Sequence, residues 1–238
     1  MNSNIKFNLS NRLMLCAEMI DSGCTVADIG TDHGYIPIYL ALSGKTHHAL
    51  ACDVAQGPLK NAIENIKHYG LESIIEARIS DGLKQIKETE ADQVIIAGMG
   101  GNLISNILNE CSWNNKSHKT FILQPMKYED KLHIFLSQNG YIIETENAVV
   151  CNNKAYVTIK AKYSGQTYSL QNHEIYIGKL EQNLDENAIA YINKQIKNLQ
   201  NHLQGATSHQ DINKMNYYSS IIQTLGKIKN NYYERSIT

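Results

Sequence analysis

Proline is scarce, with three in 238 residues, which excludes a proline-rich linker or polyproline ligand. Three phenylalanines and one tryptophan stand beside 14 tyrosines, so most of the aromatic surface carries a polar tip. No apolar run approaches the roughly 20 residues of a transmembrane helix, so no membrane partner is expected. The chain begins Met1-Asn2-Ser3-Asn4-Ile5-Lys6 and runs into polar residues, not into an apolar signal core. The five cysteines, Cys16, Cys24, Cys52, Cys111 and Cys151, are odd in number and form no CxxC pair. That pattern argues against a disulfide framework and against zinc or any obligatory metal, and it predicts a reducing, cytoplasmic setting.

The remaining composition is ordinary for a folded protein: 42% hydrophobic and 19% charged residues exclude wholesale disorder. The length suits one large domain, or one domain with an appendage. The net charge of −1 hides an asymmetry. Residues 1–150 carry 12 Lys/Arg against 17 Asp/Glu, and residues 151–238 carry 10 against 6. A basic second part on an acidic body fits a polyanionic partner, although a lysine-rich solvated helical surface gives the same numbers.

Over residues 1–163, β-branched runs alternate with helical patterns. Strands are predicted at 25–29, 48–53, 75–79, 93–97, 120–123, 141–150 and 155–163. Helices are predicted at 35–43, 58–69, 102–110 and 128–139, with an N-terminal helix through Arg12. Such alternation reads as an α/β, Rossmann-like parallel sheet. Only four residues separate the last two strands, too few for a parallel crossover, so they must form an antiparallel hairpin. Ser164-Gly165-Gln166-Thr167 reads as a linker. Beyond it, Ile189, Ile192, Ile196, Leu199 and Leu203 step as a heptad seam. Residues 205–208 are expected to break that helix, with Ser208 capping the next. Ile212, Met215, Ile222 and Leu225 form a second stripe. The expected organisation is a domain over 1–163 and a C-terminal antiparallel helical hairpin, a coiled coil, over 168–238.

The first strand ends in Ala27-Asp28-Ile29-Gly30-Thr31-Asp32-His33-Gly34-Tyr35. A dinucleotide fold wants G-x-G-x-x-G here. Asp32 takes the place of a glycine that would face a pyrophosphate, so NAD is disfavoured and a cationic or amino-bearing ligand is favoured. The second strand ends in Asp53-Val54, and an acid at this offset suits a ribose diol. The third leads into Ser80-Asp81-Gly82, where a carboxylate suits an exocyclic adenine amine. Glycines, a ribose acid and an adenine acid at successive strand ends point to an adenosine ligand without phosphates. S-adenosylmethionine fits, its carboxylate on the turn amides and its amine or sulfonium near Asp28 or Asp32. His33 is read as a wall residue more than as a base.

The fourth strand runs into Ala97-Gly98-Met99-Gly100-Gly101. In class I methyltransferases this strand end faces the transferable methyl group. The N/D-P-P-Y of exocyclic-amine enzymes is missing. So is a cysteine nucleophile after proline, because Pro125 precedes Met126. Gly98, Met99, Gly100 and Gly101 therefore read as an open loop that admits a flat acceptor to its ring nitrogen. Such a nitrogen has no proton to lose, and no side chain is assigned as acid or base. Arg12 is a candidate for holding a substrate phosphate.

These pieces, with Ser10-Asn11-Arg12-Leu13, Gly57-Pro58-Leu59 and Leu123-Gln124-Pro125, resemble the bacterial tRNA (adenine-22-N1)-methyltransferases. The resemblance covers essentially the whole of residues 1–163 in order, and the C-terminal helical hairpin resembles that family's coiled-coil tail. It implies S-adenosylmethionine-dependent methylation of N1 of adenine 22 in the D-loop region of tRNA, with the cofactor against Asp28, Gly30, His33, Asp53, Asp81 and residues 98–101. Lys179 stands where that family tends to have proline after glycine. Two other functions are carried beside this one: a methyltransferase of another substrate, such as a small molecule, and a catalytically silent RNA-binding or assembly module.

Overall fold

The computed structural model describes residues 7–113 and 119–237. In chain order its elements are α1 (Asn11–Glu18), β1 (Thr25–Ile29), α2 (Tyr35–Leu42), β2 (His48–Asp53), α3 (Gln56–His68), β3 (Ile75–Ile79), β4 (Gln93–Gly100), α4 (Gly101–Glu110), β5 (Thr120–Lys127), α5 (Glu129–Gln138), β6 (Tyr141–Cys151), β7 (Lys154–Tyr163), α6 (Glu174–Ile177), α7 (Glu186–Ser208) and α8 (Ile212–Ile237). The strands make one sheet ordered β3-β2-β1-β4-β5-β7-β6. β1 to β5 pair in parallel, and β7 runs antiparallel to both β5 and β6.

The apolar runs explain this arrangement. A parallel sheet covered by helices on both faces needs strands that are hydrophobic on both sides. Ala27, Val94, Ile96, Phe121 and Leu123 pack with Ile104 and Leu108 of α4. Their neighbours Val26, Ile95 and Ile122 point the other way, onto Cys16, Ile20, Ile36 and Leu40. The chain leaves β1 to build one half of the sheet and returns to β4 for the other. The carboxyl ends of β1 and β4 therefore flank the crevice where such sheets bind ligands.

The hairpin is tighter than expected. Asn152 and Asn153, at φ +50° and +58°, form a two-residue turn whose positive φ values match the twist of its strands. The loop expected at residues 98–101 is also corrected. β4 continues to Gly100 and β5 to Lys127, paired as Met99↔Pro125 and Gly100↔Lys127 with two register shifts. Gly98, at φ +80°, sits in this bulge, and Gly101 opens α4. Glycines that read as a loop are a bulged strand end, because the sheet hydrogen bonds of β5 hold them.

In the tail, α7 does not break at Gly205 but runs to Ser208. A helical glycine costs only about 1 kcal/mol relative to alanine, and Leu199 and Ala206 bury the face on either side of it. Ser208 bonds back to the Gln204 carbonyl, and Asp211 caps α8 by accepting from the Lys214 N–H at 3.1 Å. The seam on α8 is Ile221, Leu225 and Ile228; Ile212 is exposed. These side chains meet Ile189, Ile192 and Leu199 of α7, and the cluster continues into Ala148, Ala155 and Val157 of the hairpin. The tail is thus seated on β6 and β7.

A buried ion pair fastens this seat. His133 of α5 and Glu146 of β6 are fully buried, with Nε2 and Oε1 2.9 Å apart. His133 Nδ1 donates to the Ile175 carbonyl at 2.9 Å. Burial opposes charge on the imidazole, but the Glu146 carboxylate and the two hydrogen bonds outweigh it and hold the His133 pKa above its ordinary value. The other Glu146 oxygen accepts the Lys179 N–H at 2.9 Å. A proline at 179 lacks that donor. Gly178, at φ +51°, passes so close to Glu146 and His133 that no Cβ fits.

Candidate functional site

The turn after β1 is built from residues in uncommon backbone conformations. Gly30, Asp32 and Gly34 have φ of +73°, +52° and +71°. The sequence supplies glycine at two of these positions and aspartate, which tolerates this region, at the third. The Gly30 and Thr31 amides both donate to the Cys52 carbonyl, at 2.8 and 2.9 Å, and Gly34 N–H donates to Thr31 at 2.9 Å. Asp32 N–H donates to Asp53 Oδ2 at 3.2 Å. These four amides are engaged, so they are not waiting for a ligand carboxylate, as the sequence had led us to expect.

The strand-end acids differ in setting. Asp28 is buried and its Oδ2 accepts from the Thr31 hydroxyl at 2.7 Å. Burial, opposed by that hydrogen bond and helped by the Asp53 charge, raises its pKa to about 7. Asp53, 9% exposed, also accepts the Ala55 N–H at 2.9 Å, so it organises the start of α3 and the β1 turn together. Ser80 is buried: its N–H donates to the Asp53 carbonyl and its hydroxyl to that of Gly82. The Asp81 side chain points out and pairs with Lys84 at 2.6 Å. Val54 is exposed. His33 stacks on Tyr35, ring centroids 5.1 Å apart, and lies 3.7 Å from Asp32.

Between β1 and β4 lies a cavity of about 250 Å³, bordered by Arg12, Asp28, Gly30, Asp32, Tyr35 and Gly98 among others. Met99 fills the space over Gly30 where a side chain would stand. Ala97 is half-buried beside it. Arg12 is the one cation among the described residues lining the cavity. Its Nη1 donates to Gln124 Oε1 at 2.6 Å, and the same oxygen accepts the Gly98 N–H at 3.1 Å. Gln124 is fully buried in the middle of β5. One amide thus ties α1, the β4 bulge and β5 together. Sequence reasoning noted Gln124 only within a motif; its partners lie 26 and 112 residues away, and local pattern carries no signal of that. Among the described residues no group of three or more His, Cys, Asp or Glu is placed to hold a metal.

An acid-lined crevice at the β1/β4 switch, in a sheet whose last two strands form an antiparallel hairpin, has known counterparts. Residues 9–159 match the family model described as a methyltransferase domain. Over 157 residues the chain is 36% identical to the tRNA (adenine(22)-N(1))-methyltransferase of Bacillus subtilis, an alignment spanning 66% of each protein. The M. capricolum TrmK structure, solved with S-adenosylhomocysteine, superposes with a TM-score of 0.77 at 30% identity, covering 92% of this chain and 99% of that one. Sp1610 of Streptococcus pneumoniae, described as a putative tRNA (m1A22) methyltransferase and solved with S-adenosylmethionine, superposes with a TM-score of 0.80 at 28% identity, covering 93% of this chain and 100% of that one. The chain belongs to the bacterial tRNA (adenine-22-N1)-methyltransferase family.

Within this family frame one expectation from the sequence needs revision. The surplus positive charge of residues 151–238 does not lie on the helices. Lys154, Lys160 and Lys162 of β7 supply three of the four extra charges, and residues 164–238 carry seven Lys/Arg against six Asp/Glu. Lys160 and Lys162 are paired with Asp21 and Glu144 at 2.7 and 2.9 Å.

Proposed function

We propose that this protein transfers a methyl group from S-adenosylmethionine to N1 of adenine 22 in the D-loop region of tRNA. The observation that carries the reading is the crevice at the β1/β4 switch, with the buried Asp28 and the exposed Asp32 on one side and one arginine on the other, in a chain of this family. That lining suits a ligand bearing an ammonium, a sulfonium and a carboxylate. Asp28 and Asp32 face its cationic end. Arg12 meets its carboxylate, a role that replaces both the phosphate contact and the turn amides expected from sequence. Asp53 takes the ribose hydroxyls, with Val54 covering the sugar. Asp81, with Ser80 and Gly82 shaping its turn, takes the adenine amine, and Gly30, His33, Gly34 and Tyr35 form the near wall. When bound, the cofactor supplies the methyl group.

Ala97, Gly98, Met99, Gly100 and Gly101 form the acceptor side. With no side chain standing on three of the five positions, a flat base can approach edge-on. The accepting ring nitrogen carries no proton, so the protein's task is alignment and not proton removal. The base must first leave its stack, at a cost of a few kcal/mol that phosphate contacts elsewhere offset. We assign residues 1–163 to the methyltransferase domain and 168–238 to a helical tail in which α7 and α8 form an antiparallel coiled-coil hairpin. The three-residue turn between the helices and the Ile192–Leu199/Ile221–Leu225 seam support this. Five free thiols suit a reducing, cytoplasmic setting.

The test is incubation with labelled S-adenosylmethionine and bacterial tRNA, followed by nucleoside analysis. The expected product is 1-methyladenosine, which blocks pairing and gives one new reverse-transcription stop at position 22. A transcript with guanosine there should show no stop. Recovery of N6-methyladenosine or methylated cytosine would overturn the ring-nitrogen reading.

A further inference from the structure

β5 ends in the exposed Met126 and Lys127, the latter paired with Gly100 of β4, and the exposed Tyr128 follows as the residue that opens α5. The Lys127 chain packs along Gly100, and the Tyr128 carbonyl fills the space beside Gly101. Tyr128 sits at φ +60° and ψ +39°, a left-handed conformation that a bulky residue rarely adopts. Such conformations persist where the surroundings enforce them, often at ligand sites. The Tyr128 side chain is nevertheless half free: the residue is 49% exposed, and among the described residues its ring contact is the Lys127 Nζ, 5.3 Å from the centroid. The His33–Tyr35 pair, by contrast, already spends one face of each ring on the other.

On the other side of Met126 opens a groove of about 580 Å³ between the β6–β7 turn and α7. Its charged lining is entirely basic: Lys154, Lys194 and Lys197, with Tyr156 among them. Lys194 is neutralised by Glu129 at 2.7 Å. Lys154 and Lys197 are exposed and have no carboxylate within ion-pair distance among the described residues. The larger cavity beside α1, about 710 Å³, is lined by Glu18, Asp185 and several asparagines and has no lysine or arginine, so it offers nothing to a polyanion.

Resting on the reading of this chain as a tRNA methyltransferase, we propose that the groove carries the substrate RNA strand. Lys154 and Lys197 hold its phosphates, and the displaced adenine stacks on Tyr128 beside the Gly98–Gly101 strand end. Lysines along a groove with an aromatic face at its end are the usual means of holding a single strand. The strand then enters over the β7 start and the α7 face. Of the tail, one face of α7 forms a wall of the groove.

The test uses the full chain, a tRNA transcript carrying A22, and four variants. Lys154→Gln combined with Lys197→Gln should weaken tRNA binding about tenfold. It should also reduce the slope of log affinity against log salt by about one for each lysine removed. S-adenosylmethionine affinity by calorimetry should not change. Lys60→Gln, on α3 away from the groove, is the control and should alter neither. Tyr128→Leu should lower kcat/KM about ten- to a hundredfold, the range expected for one lost stack. Tyr128→Gly relieves the backbone and should be at least as stable as wild type, yet equally impaired. That separates stacking from a structural role. Wild-type salt slope and affinity in the lysine variant would overturn the groove, and wild-type kcat/KM in Tyr128→Gly would overturn the stack. If the wild-type protein methylates a different nucleoside, the reading of its function fails while the salt slopes still decide the groove.

Discussion

Two buried carboxylates in this molecule are treated in opposite ways. At the tail junction, Glu146 is met on both oxygens, by the His133 ring and by the Lys179 amide, and the ring is itself held by the Ile175 carbonyl. In the crevice, Asp28 is almost as deeply buried but has one donor among the described residues, the Thr31 hydroxyl, and its pKa rises to about 7. The first is a closed polar cluster whose partners all come from the chain. The second is left open on the side that faces a cavity. Complete satisfaction marks a structural clasp, because a half-paired buried charge is costly. Incomplete satisfaction marks a place prepared for something else.

That contrast can be broken at several points. The largest effect is expected at the clasp. His133→Leu leaves Glu146 buried without its cation and should cost about 3–5 kcal/mol in chemical denaturation. A loss under 1 kcal/mol would mean that the pair is not a clasp. At the crevice, Asp53→Ala should weaken S-adenosylmethionine binding about tenfold or more, the value of a hydrogen bond to a charged group at roughly 1.5–3 kcal/mol. Unchanged affinity in calorimetry would remove Asp53 from the site. Gly178→Ala puts a methyl group against Glu146 at a positive φ and should destabilise by about 1–3 kcal/mol, with cofactor affinity of the folded protein retained.

The smallest expected effect is a pH dependence. The His133 pKa is raised in the folded state. Its contribution to stability is therefore fully present below about 6.5, the unfolded value, and is lost as pH rises through the folded value. Denaturation midpoints should fall on going from pH 6.5 to 9 in wild type, and this component should be absent in His133→Leu. Parallel profiles for the two proteins would show that another group is responsible.

Much of this was legible in the sequence, and the reasons are specific. β1, β2 and β3 have the predicted bounds, because short β-branched or alanine-rich runs between turn residues leave little choice. The acids at 28, 53 and 81 were singled out by their order along the chain, and the fold sets them at the ends of β1, β2 and β3. The bulged ends of β4 and β5 were missed because glycine and proline look the same in a loop as in an irregular ladder. The end of α7 was placed too early because one glycine was weighed without the packing on either side of it. The Arg12–Gln124–Gly98 and His133–Glu146–Lys179 sets were invisible, since each joins residues that meet only when the sheet is assembled. The charge asymmetry was real, but only the fold shows that it belongs mainly to a strand.

The open setting of Asp28 has a thermal consequence. With burial raising its pKa to about 7, this side chain holds its proton part of the time near neutral pH. A cation placed beside it favours the ionised form, so binding should expel a fraction of a proton into the buffer. The heat of cofactor binding at pH 7 then depends on what takes up that proton. Titrations in phosphate and in Tris should give different enthalpies for the same affinity, and Asp28→Asn should make them equal. Identical enthalpies for the wild-type protein would show that its carboxylate is already charged before the ligand arrives.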